Sequence, residues 1–470
     1  MPKMMPKTPH QGILEYWNAG ILGDGRRPST PIIPSFHYSI IPILLTALLA
    51  YGQIPAPPQS QPIALVNATV HPVSSPSLAA ATIVMDRGKI VALGTAIPIP
   101  PDAITIDLKG QHVYPGLIES HSLLGLTEIG SVDVTNDHAE RGDINPNVRA
   151  EVAINPESEH VPVARANGIA LALVAPTGGL IAGRSALVMT DGWTWKEMTL
   201  AAPLSLMINW PAMRMGVQDD AASRQQRDRI QKRIDILERT VEDAQAYRMT
   251  LEAPGIDGRV TPTDVRWEAM VPVLRGELPV WIRANSLLEI QAAVSWVAKH
   301  KLRAVLVGGR EAGHCADLLR ERGIPVVVTS VLSLPDRRDA DFDEPFTLPL
   351  RLHRAGVKFC IAAGSSSALR NLPYHAAKAA AYGLPQDEAL KAVTLYPAQI
   401  MGVADRVGSL EEGKDATLIV TDGDPLEITT HVRELFLQGR RIDLANKHQR
   451  LYDKYRQRYR QGKAPEPPAP

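Results

Sequence analysis

The sequence predicts an α/β protein, a distorted (β/α)8 TIM-type barrel with a small composite β-domain formed by both ends of the chain. Between residues 113 and 400, apolar runs of strand length alternate with helical segments, which is typical of parallel strands covered on both faces. On either side of this region, short runs of β-forming residues are separated by turns. The central region is long enough for an eight-fold barrel, which takes about 250 residues.

These changes of pattern divide the chain into five predicted segments. They are a leader with a signal peptide (1–53), a Pro-rich linker (54–62), the composite β-domain (63–112 plus 403–442), the barrel (113–402), and a basic helix with a Pro-rich tail (443–470). We expect the two β-rich ends to pair with each other into one small domain.

Individual elements of these domains follow from local patterns. Arg87-Gly88-Lys89 predicts a hairpin turn in the first β-rich end, and a turn at residues 422–424 separates two strands in the second. Within the barrel, predicted strands begin at Ile169, Leu278, Arg303, Ile324 and Val357, and predicted helices span Glu289–His300, Glu311–Gly323 and Tyr374–Gly383.

One long charged helix carries an apolar stripe. Ile230, Ile234, Leu237, Val241 and Ala244 recur at steps of four and three residues, which places them on one helix face. We expect this face to pack against the barrel. A seam between two copies in a homo-oligomer is the alternative.

Composition excludes some classes of partner. The chain has 50 Lys and Arg against 50 Asp and Glu, so no net charge favours nucleic acid or an anionic membrane surface. Cys315 and Cys360 lie in separate apolar segments without metal-type spacing, and we expect both to be small buried hydrophobic residues.

The leader indicates export. The apolar run Ile40–Ala50 follows Arg26 and Arg27 and is shorter than the roughly 20 residues of a spanning helix, but it suits a signal-peptide core. Ala50-Tyr51-Gly52 has the small-x-small pattern of a cleavage site, with Gln53 as the mature start. This predicts a periplasmic or extracellular protein that meets the membrane only through its signal peptide. An unstructured leader or an uncleaved anchor is the alternative.

Two local motifs fail in their context. Gly178–Ser185 nearly matches the phosphate-binding loop G-x4-G-K-[ST], but the next residues predict a strand and a turn instead of a helix. Ser365–Ser367 is not a nucleophile elbow, because Ala368 stands where glycine is required.

A family resemblance adds to this reading. “YPGLIESHSLLG”, Tyr114 to Gly125, resembles the start of the barrel in the amidohydrolase superfamily, whose usual form is P-G-[LF]-[IV]-D-x-H-x-H. The stretch from Gly383 to Glu427 resembles the end of that barrel, especially in imidazolonepropionase-like members. The resemblance covers roughly residues 60–442. It implies the same barrel fold and hydrolysis of carbon–nitrogen (non-peptide) bonds.

The resemblance also implies one or two divalent metals, such as zinc, at the carboxyl end of the barrel. Family members hold them with the His-x-His of strand 1, a lysine or glutamate on strand 4, histidines on strands 5 and 6, and an aspartate on strand 8. Here His121 matches the first histidine, but Leu123 replaces the second. The positions expected for strands 5, 6 and 8 hold Arg283, Gly308 or Gly309, and Ser366; strand 4 has no assigned equivalent.

These substitutes cannot hold a metal. Leucine and glycine offer no ligand atom, arginine stays protonated, and catalytic zinc normally takes three protein ligands. The sequence therefore predicts a degenerate metal site and no cofactor.

Two functions remain open beside the family's metal-dependent hydrolysis. One is catalysis by a rebuilt, metal-free site, and the other is non-catalytic binding by an exported pseudoenzyme. The ligand would be a small molecule, and an anionic one if Arg283 faces it. His121 as a core histidine and Arg283 paired with Glu119 or Glu311 are the structural alternatives. The catalytic candidates are His121, Arg283 and Ser366, and the substrate-binding candidates are Glu119, Asn285, Glu311 and Ser365.

Overall fold

The computed structural model describes residues 54–213, 221–252, 262–329 and 331–461. The predicted signal peptide, its cleavage site and the end of the Pro-rich tail lie outside these ranges, so export stays a prediction. No helix among the described residues combines the length and the apolar character that crossing a membrane requires.

The described residues form two sheets and a set of covering helices. The strands are β1 Ile63–Val70, β2 Leu78–Asp86, β3 Lys89–Gly94, β4 Ile104–Asp107, β5 His112–Pro115, β6 Leu117–Ser122, β7 Ile169–Val174, β8 Ile181–Met189, β9 Thr199–Asn209, β10 Val280–Ala284, β11 Ala304–Gly308, β12 Val326–Val328, β13 Phe359–Ile361, β14 Leu418–Thr421, β15 Val432–Leu437 and β16 Arg440–Arg441. The α-helices are α1 His160–Arg165, α2 Trp195–Met198, α3 Ala221–Glu252, α4 Val265–Leu274, α5 Leu287–His300, α6 Ala316–Glu321, α7 Glu344–Arg354, α8 Leu372–Ala381, α9 Gln386–Lys391, α10 Leu395–Met401 and α11 Lys447–Gln461. Short 3₁₀ turns lie at Asp133–Thr135, Ala150–Ala153, Ala312–Cys315 and Leu369–Asn371.

One sheet contains strands from both ends of the described chain. Its order is β16-β15-β14-β5-β1-β2-β3, with β4 beside β1. The contact between the two ends is the antiparallel pair of β5 and β14. The predicted hairpin is present, since Arg87 and Gly88 both have positive φ between β2 and β3, as a two-residue hairpin turn requires.

The second sheet contains β6 to β13 in sequence order and forms a nearly closed barrel. Its edge strands meet where the Ser120 hydroxyl on β6 donates to the Ile361 carbonyl on β13 (3.2 Å). Seven strands run parallel, while β8 runs antiparallel to both β7 and β9. The prediction of a TIM-like barrel with a second sheet is therefore confirmed, and the distortion lies at the third strand, where a hairpin replaces a helical crossover.

The sequence around residue 179 explains this hairpin. Residues 175–180 connect β7 and β8, and Gly179 among them has φ +68°. A Cβ atom on Gly179 would lie 2.5 Å from the Gly142 carbonyl oxygen, so only glycine fits this position. The segment that resembled a phosphate-binding loop leads into β8 instead of a helix, as the sequence predicted.

Packing confirms two predictions about apolar residues. Leu237, Val241 and Ala244 on α3 are buried in the same core as the barrel strands. Cys315 and Cys360 are free thiols, and both are buried. The carboxyl-terminal half of the apolar stripe on α3 therefore packs into the core.

Asp191, just after β8, joins the barrel to the other sheet. Its Oδ1 accepts a hydrogen bond from the buried guanidinium of Arg165 (2.8 Å). Its Oδ2 accepts from Arg440 of β16 (2.9 Å) and from the backbone N–H of Ala56 (3.1 Å). Only 3% of the side-chain surface of Asp191 and of Arg165 is exposed, so neither charge can be solvated by water if its partner is lost.

We expect Asp191→Ala to lower the free energy of unfolding by about 3–5 kcal/mol, because it removes the buried carboxylate that is hydrogen-bonded to the Arg165 cation. Urea denaturation followed by circular dichroism measures this loss. The matched control is Asp387→Ala, which removes an exposed partner of Lys391 and should cost less than about 1 kcal/mol. Equal losses in the two variants would contradict the role given to Asp191.

Candidate functional site

Three polar side chains meet at the carboxyl ends of barrel strands. His121 lies near the end of β6, Asn209 ends β9, and Arg283 lies near the end of β10. Asn209 and Arg283 are direct neighbours in the β9–β10 ladder. In TIM-type barrels this end carries the functional sites, because loops of variable sequence connect the strands there.

Arg283 is the centre of the hydrogen-bond network. Its Nε and Nη2 lie 3.0 and 2.9 Å from Nε2 of His121. Its Nη1 donates to Oδ1 of Asn209 (2.7 Å), and Nη2 also donates to the Pro176 carbonyl (2.9 Å). The structure therefore brings together two sequence-predicted site residues, His121 and Arg283.

These contacts determine the protonation state of His121. Because a guanidinium only donates, Nε2 must accept, and the ring proton must be on Nδ1. Burial, together with the Arg283 charge, lowers the pKa of His121 to about 3. Nδ1 is buried and has no hydrogen-bond partner among the described residues. His121 is thus a neutral imidazole with one unfilled donor.

Asn209 is a site residue that the sequence reading missed. Its Nδ2 donates to the carbonyls of Thr177 (2.7 Å) and Gly179 (2.8 Å), which fixes Oδ1 toward Arg283. The missed signal was a polar residue at the end of the apolar run “LSLMIN”, in the strand that had no assignment from sequence. β9 is the fourth strand of the barrel sheet.

Arg283 has no carboxylate partner within the described residues, so neither pairing that the sequence left open, with Glu119 or with Glu311, is present. Burial lowers the pKa of Arg283 to about 10, which leaves it charged at neutral pH. Its bonds go to an imidazole, an amide and a carbonyl, all of them neutral. A cation taken out of water in this way favours any anion that can reach it.

Glu119 lies on β6 two residues before His121, and is fully buried. Burial raises the pKa of Glu119 to about 8, although backbone N–H groups of Ala363 (2.9 Å) and His121 (3.0 Å) donate to its two oxygens and favour the carboxylate. Glu119 thereby links β6 to the end of β13 inside the barrel.

The remaining sequence candidates lie on the same rim but outside this network. Glu311 accepts the Leu287 backbone N–H (2.7 Å) and pairs with Arg337 (3.2 Å). The hydroxyl of Ser365 accepts the backbone N–H of Ala368 (2.8 Å), and Ser366 lies in the same turn after β13. No hydrogen bond joins Ser366 to His121 or Arg283 in the described part of the chain, and the roles of these residues stay predictions.

Asn285 and Gly308 fit together beside Arg283. A Cβ atom at residue 308 would lie 2.4 Å from Oδ1 of Asn285, and Gly308 has φ +95°. The glycine at this position of the sixth strand is therefore required by the packing of the asparagine side chain.

Comparisons with known proteins agree with this fold. The model of the amidohydrolase family matches residues 290–443. The amidohydrolase tasK of Hapsidospora irregularis is 22% identical over 391 residues, which cover 76% of this chain and 39% of that protein. This chain therefore spans well under half the length of that curated relative.

Solved structures extend the likeness along most of the chain. An amidohydrolase from Thermotoga maritima MSB8 is 26% identical, covers 81% of this chain and 99% of its own, and has a TM-score of 0.73. Together these matches support the amidohydrolase superfamily for this chain. A Xaa-Pro dipeptidase with bound methionine, 14% identical over 81% of this chain and all of its own, shares the fold alone at a TM-score of 0.50.

The superfamily implies a divalent metal at this mouth, but the side chains present do not fit one. The Nε2 lone pair of His121 that would bind a metal accepts from the Arg283 cation. Leu123 follows β6 as a half-buried hydrocarbon, and Gly308 has no side chain. Over the described ranges, no group of three or more His, Cys, Asp and Glu residues could hold a metal ion. His121, Arg283 and Asn209 are the polar side chains that the hydrogen-bond network joins at the mouth.

The raised pKa of Glu119 predicts a pH dependence of stability. Its pKa is about 8 in the folded protein against an ordinary value of 4.5, so between these values the folded state binds more protons than the unfolded chain. The contribution of Glu119 to stability is therefore fully present below pH 4.5 and is lost as the pH rises through about 8.

Glu119→Gln removes this titration, so the variant should gain stability relative to the wild-type protein as the pH rises from about 5 to about 8, by up to about 1.4 kcal/mol per pH unit. Urea denaturation at constant ionic strength measures the difference in unfolding free energy. Glu157→Gln, which removes an exposed carboxylate, is the control and should show a flat difference. A flat difference for Glu119→Gln would show that its carboxyl group has no raised pKa.

Proposed function

We propose that the barrel mouth binds a small carboxylate-bearing molecule through Arg283 and does not hydrolyse it by the metal-dependent chemistry of the superfamily. The observation that supports this proposal is the contact between the Arg283 guanidinium and Nε2 of His121 (2.9 Å). It engages the nitrogen that would bind a metal and brings to the same position a cation that has no carboxylate partner among the described residues.

The guanidinium has one donor left for a ligand. Of its five N–H groups, Nε–H and the two on Nη2 are directed at His121 and Pro176, and one on Nη1 is directed at Asn209. The second Nη1–H has no acceptor among the described residues. A carboxylate at this position would gain a charge-assisted hydrogen bond and would neutralise a buried cation.

Binding without turnover is favoured over metal-free catalysis by the state of His121. A general base works best with a pKa near the working pH, whereas the pKa of His121 is lowered to about 3. Its accepting lone pair is also occupied by Arg283. His121 is therefore better suited to holding the guanidinium in place than to taking a proton from water. Export to the periplasm or outside the cell, predicted from residues 1–53, is part of the same proposal.

The first test concerns the metal. We expect protein purified in the presence of zinc, and then desalted, to contain far less than one zinc ion per chain by elemental analysis, because one imidazole cannot retain a site that normally takes three protein ligands. Stoichiometric zinc that is lost in His121→Ala would contradict the proposal.

The second test concerns the anion. N-benzoylglycinate, which has a carboxylate and a carbon–nitrogen bond, is the probe, and its neutral methyl ester is the comparison. We expect calorimetry to detect the carboxylate and not the ester, and Arg283→Met to weaken binding by about 10- to 100-fold, the range of a charged hydrogen bond. Release of glycine, measured in parallel, should stay at the rate without protein.

Arg275→Met removes an exposed guanidinium at the end of α4 and serves as the matched control for the lost charge. Its affinity for N-benzoylglycinate should stay within about twofold of wild type, since an exposed charge is screened by salt. Equal weakening in the two variants, or no binding by the wild-type protein, would count against Arg283 as the anion site. Release of glycine that requires His121 would instead favour metal-free catalysis.

A further inference from the structure

A pocket lies at the end of the barrel opposite the mouth, at the amino ends of its strands. Its volume is about 490 Å³, within the range of small-molecule sites. Four lining residues immediately precede β10, β11, β12 and β13, namely Pro279, Arg303, Pro325 and Lys358. The site at His121 and Arg283 lies near the carboxyl ends of the strands, so the two sites are separate.

The charges that line this pocket all have one sign. Lys301, Arg303, Arg322 and Lys358 line it, and no lining residue is acidic. Within the described ranges none of the four forms an ion pair, and Arg303 donates only to the Gly276 carbonyl (3.0 Å). In a chain with equal numbers of acidic and basic residues, four cations around one concavity leave a local positive field without a counterion.

A pocket beside the hairpin of β2 and β3 gives a contrast within the same molecule. It also has four basic lining residues, but Glu197 and Asp415 line it as well. Asp415 is nearly buried and accepts hydrogen bonds from Arg406 (2.8 Å) and Gln438 (3.1 Å). Acidic side chains line that pocket beside its cations, whereas the residues that line the pocket at the amino end of the barrel include none.

Backbone hydrogen bonds and a helix end hold the segments that carry three of these cations. The carbonyl of Arg303 accepts the N–H of Val280 (2.8 Å), and that of Lys358 accepts the N–H of Val326 (2.9 Å). Lys301 ends α5 in the left-handed conformation, with φ 54°. This conformation costs a non-glycine residue about 1–2 kcal/mol relative to glycine, yet the position holds a lysine.

Part of the pocket lining is apolar. Val294 and Val297 from α5, Val305 from β11 and Ile324 before β12 line it, and each is more than nine-tenths buried. Apolar walls with charges at the rim suit a ligand that has a hydrocarbon body and anionic groups at one end. Water or a simple inorganic ion would leave those walls without a partner.

We propose that this pocket binds a small organic anion that carries two negative charges, as a phosphate monoester does, on an apolar body. The anionic group lies among Lys301, Arg303, Arg322 and Lys358, and the apolar body contacts the valine side chains of α5. The site is independent of the barrel mouth.

The test uses calorimetry on the full chain with 1-naphthyl phosphate, and with inorganic phosphate as the probe without an apolar body. We expect 1-naphthyl phosphate to bind more tightly than inorganic phosphate, and its affinity to fall as salt is raised. The double variant Arg322→Gln, Lys358→Gln should lose at least about tenfold in affinity. Failure of the wild-type protein to bind 1-naphthyl phosphate at millimolar concentration overturns the proposal.

Matched variants separate a built site from a general effect of charge. Lys109→Gln with Arg141→Gln removes two exposed cations outside the pocket and should leave the affinity within about twofold of wild type. Ala298→Phe fills the pocket without changing charge and should abolish binding, whereas Ser295→Phe on the exposed face of the same helix should not. Arg283→Met should bind 1-naphthyl phosphate as wild type does. Equal losses in the two charge variants, no effect of Ala298→Phe, or loss on Arg283→Met would each overturn the proposal.

Discussion

The chemistry of the barrel mouth depends on one contact, the donation of the Arg283 guanidinium to Nε2 of His121. A cation and an imidazole can lie 2.9 Å apart only while the imidazole is neutral, because two positive charges at this distance in a buried site repel strongly. The contact therefore keeps the proton of His121 on Nδ1 and its pKa low. It also uses the lone pair through which a histidine would act as a metal ligand or as a base.

The distortion of the barrel makes this contact possible. A regular barrel would have a helix between its second and third strands, but here residues 175–180 connect antiparallel β7 and β8 without a helix. The carbonyl of Pro176 accepts from Arg283, and those of Thr177 and Gly179 accept from Asn209. The hairpin thus supplies the neutral acceptors that satisfy two buried donors, and it does so without bringing in a carboxylate. Gly179, whose position admits only glycine, contributes one of these neutral acceptors through its carbonyl.

The sequence predicted the barrel, the second sheet and the placement of His121 and Arg283 at the barrel mouth, because apolar runs and the stretch around Tyr114–Gly125 place both residues near the ends of strands. It did not predict the contact between them. It did not predict the hairpin, since an apolar run such as β8 has the same composition whether it runs parallel or antiparallel. Without the hairpin, β9 had no place in the order of strands, and Asn209 was missed. The sequence also did not reveal the partners of Arg283. Glu119 is two residues from His121 along the chain, but both of its oxygens accept from backbone N–H groups.

The two proposed anion sites use positive charge in different ways. Arg283 is held by neutral groups and its pKa is lowered by burial, so its attraction for an anion is little screened by salt and depends on geometry. The four cations at the amino end of the barrel are exposed, and their attraction should weaken as the Debye length falls below about 8 Å. The net charge of the chain is zero, so it gives no indication of either site. Charge balance over a whole sequence therefore says nothing about a local group of cations in a pocket.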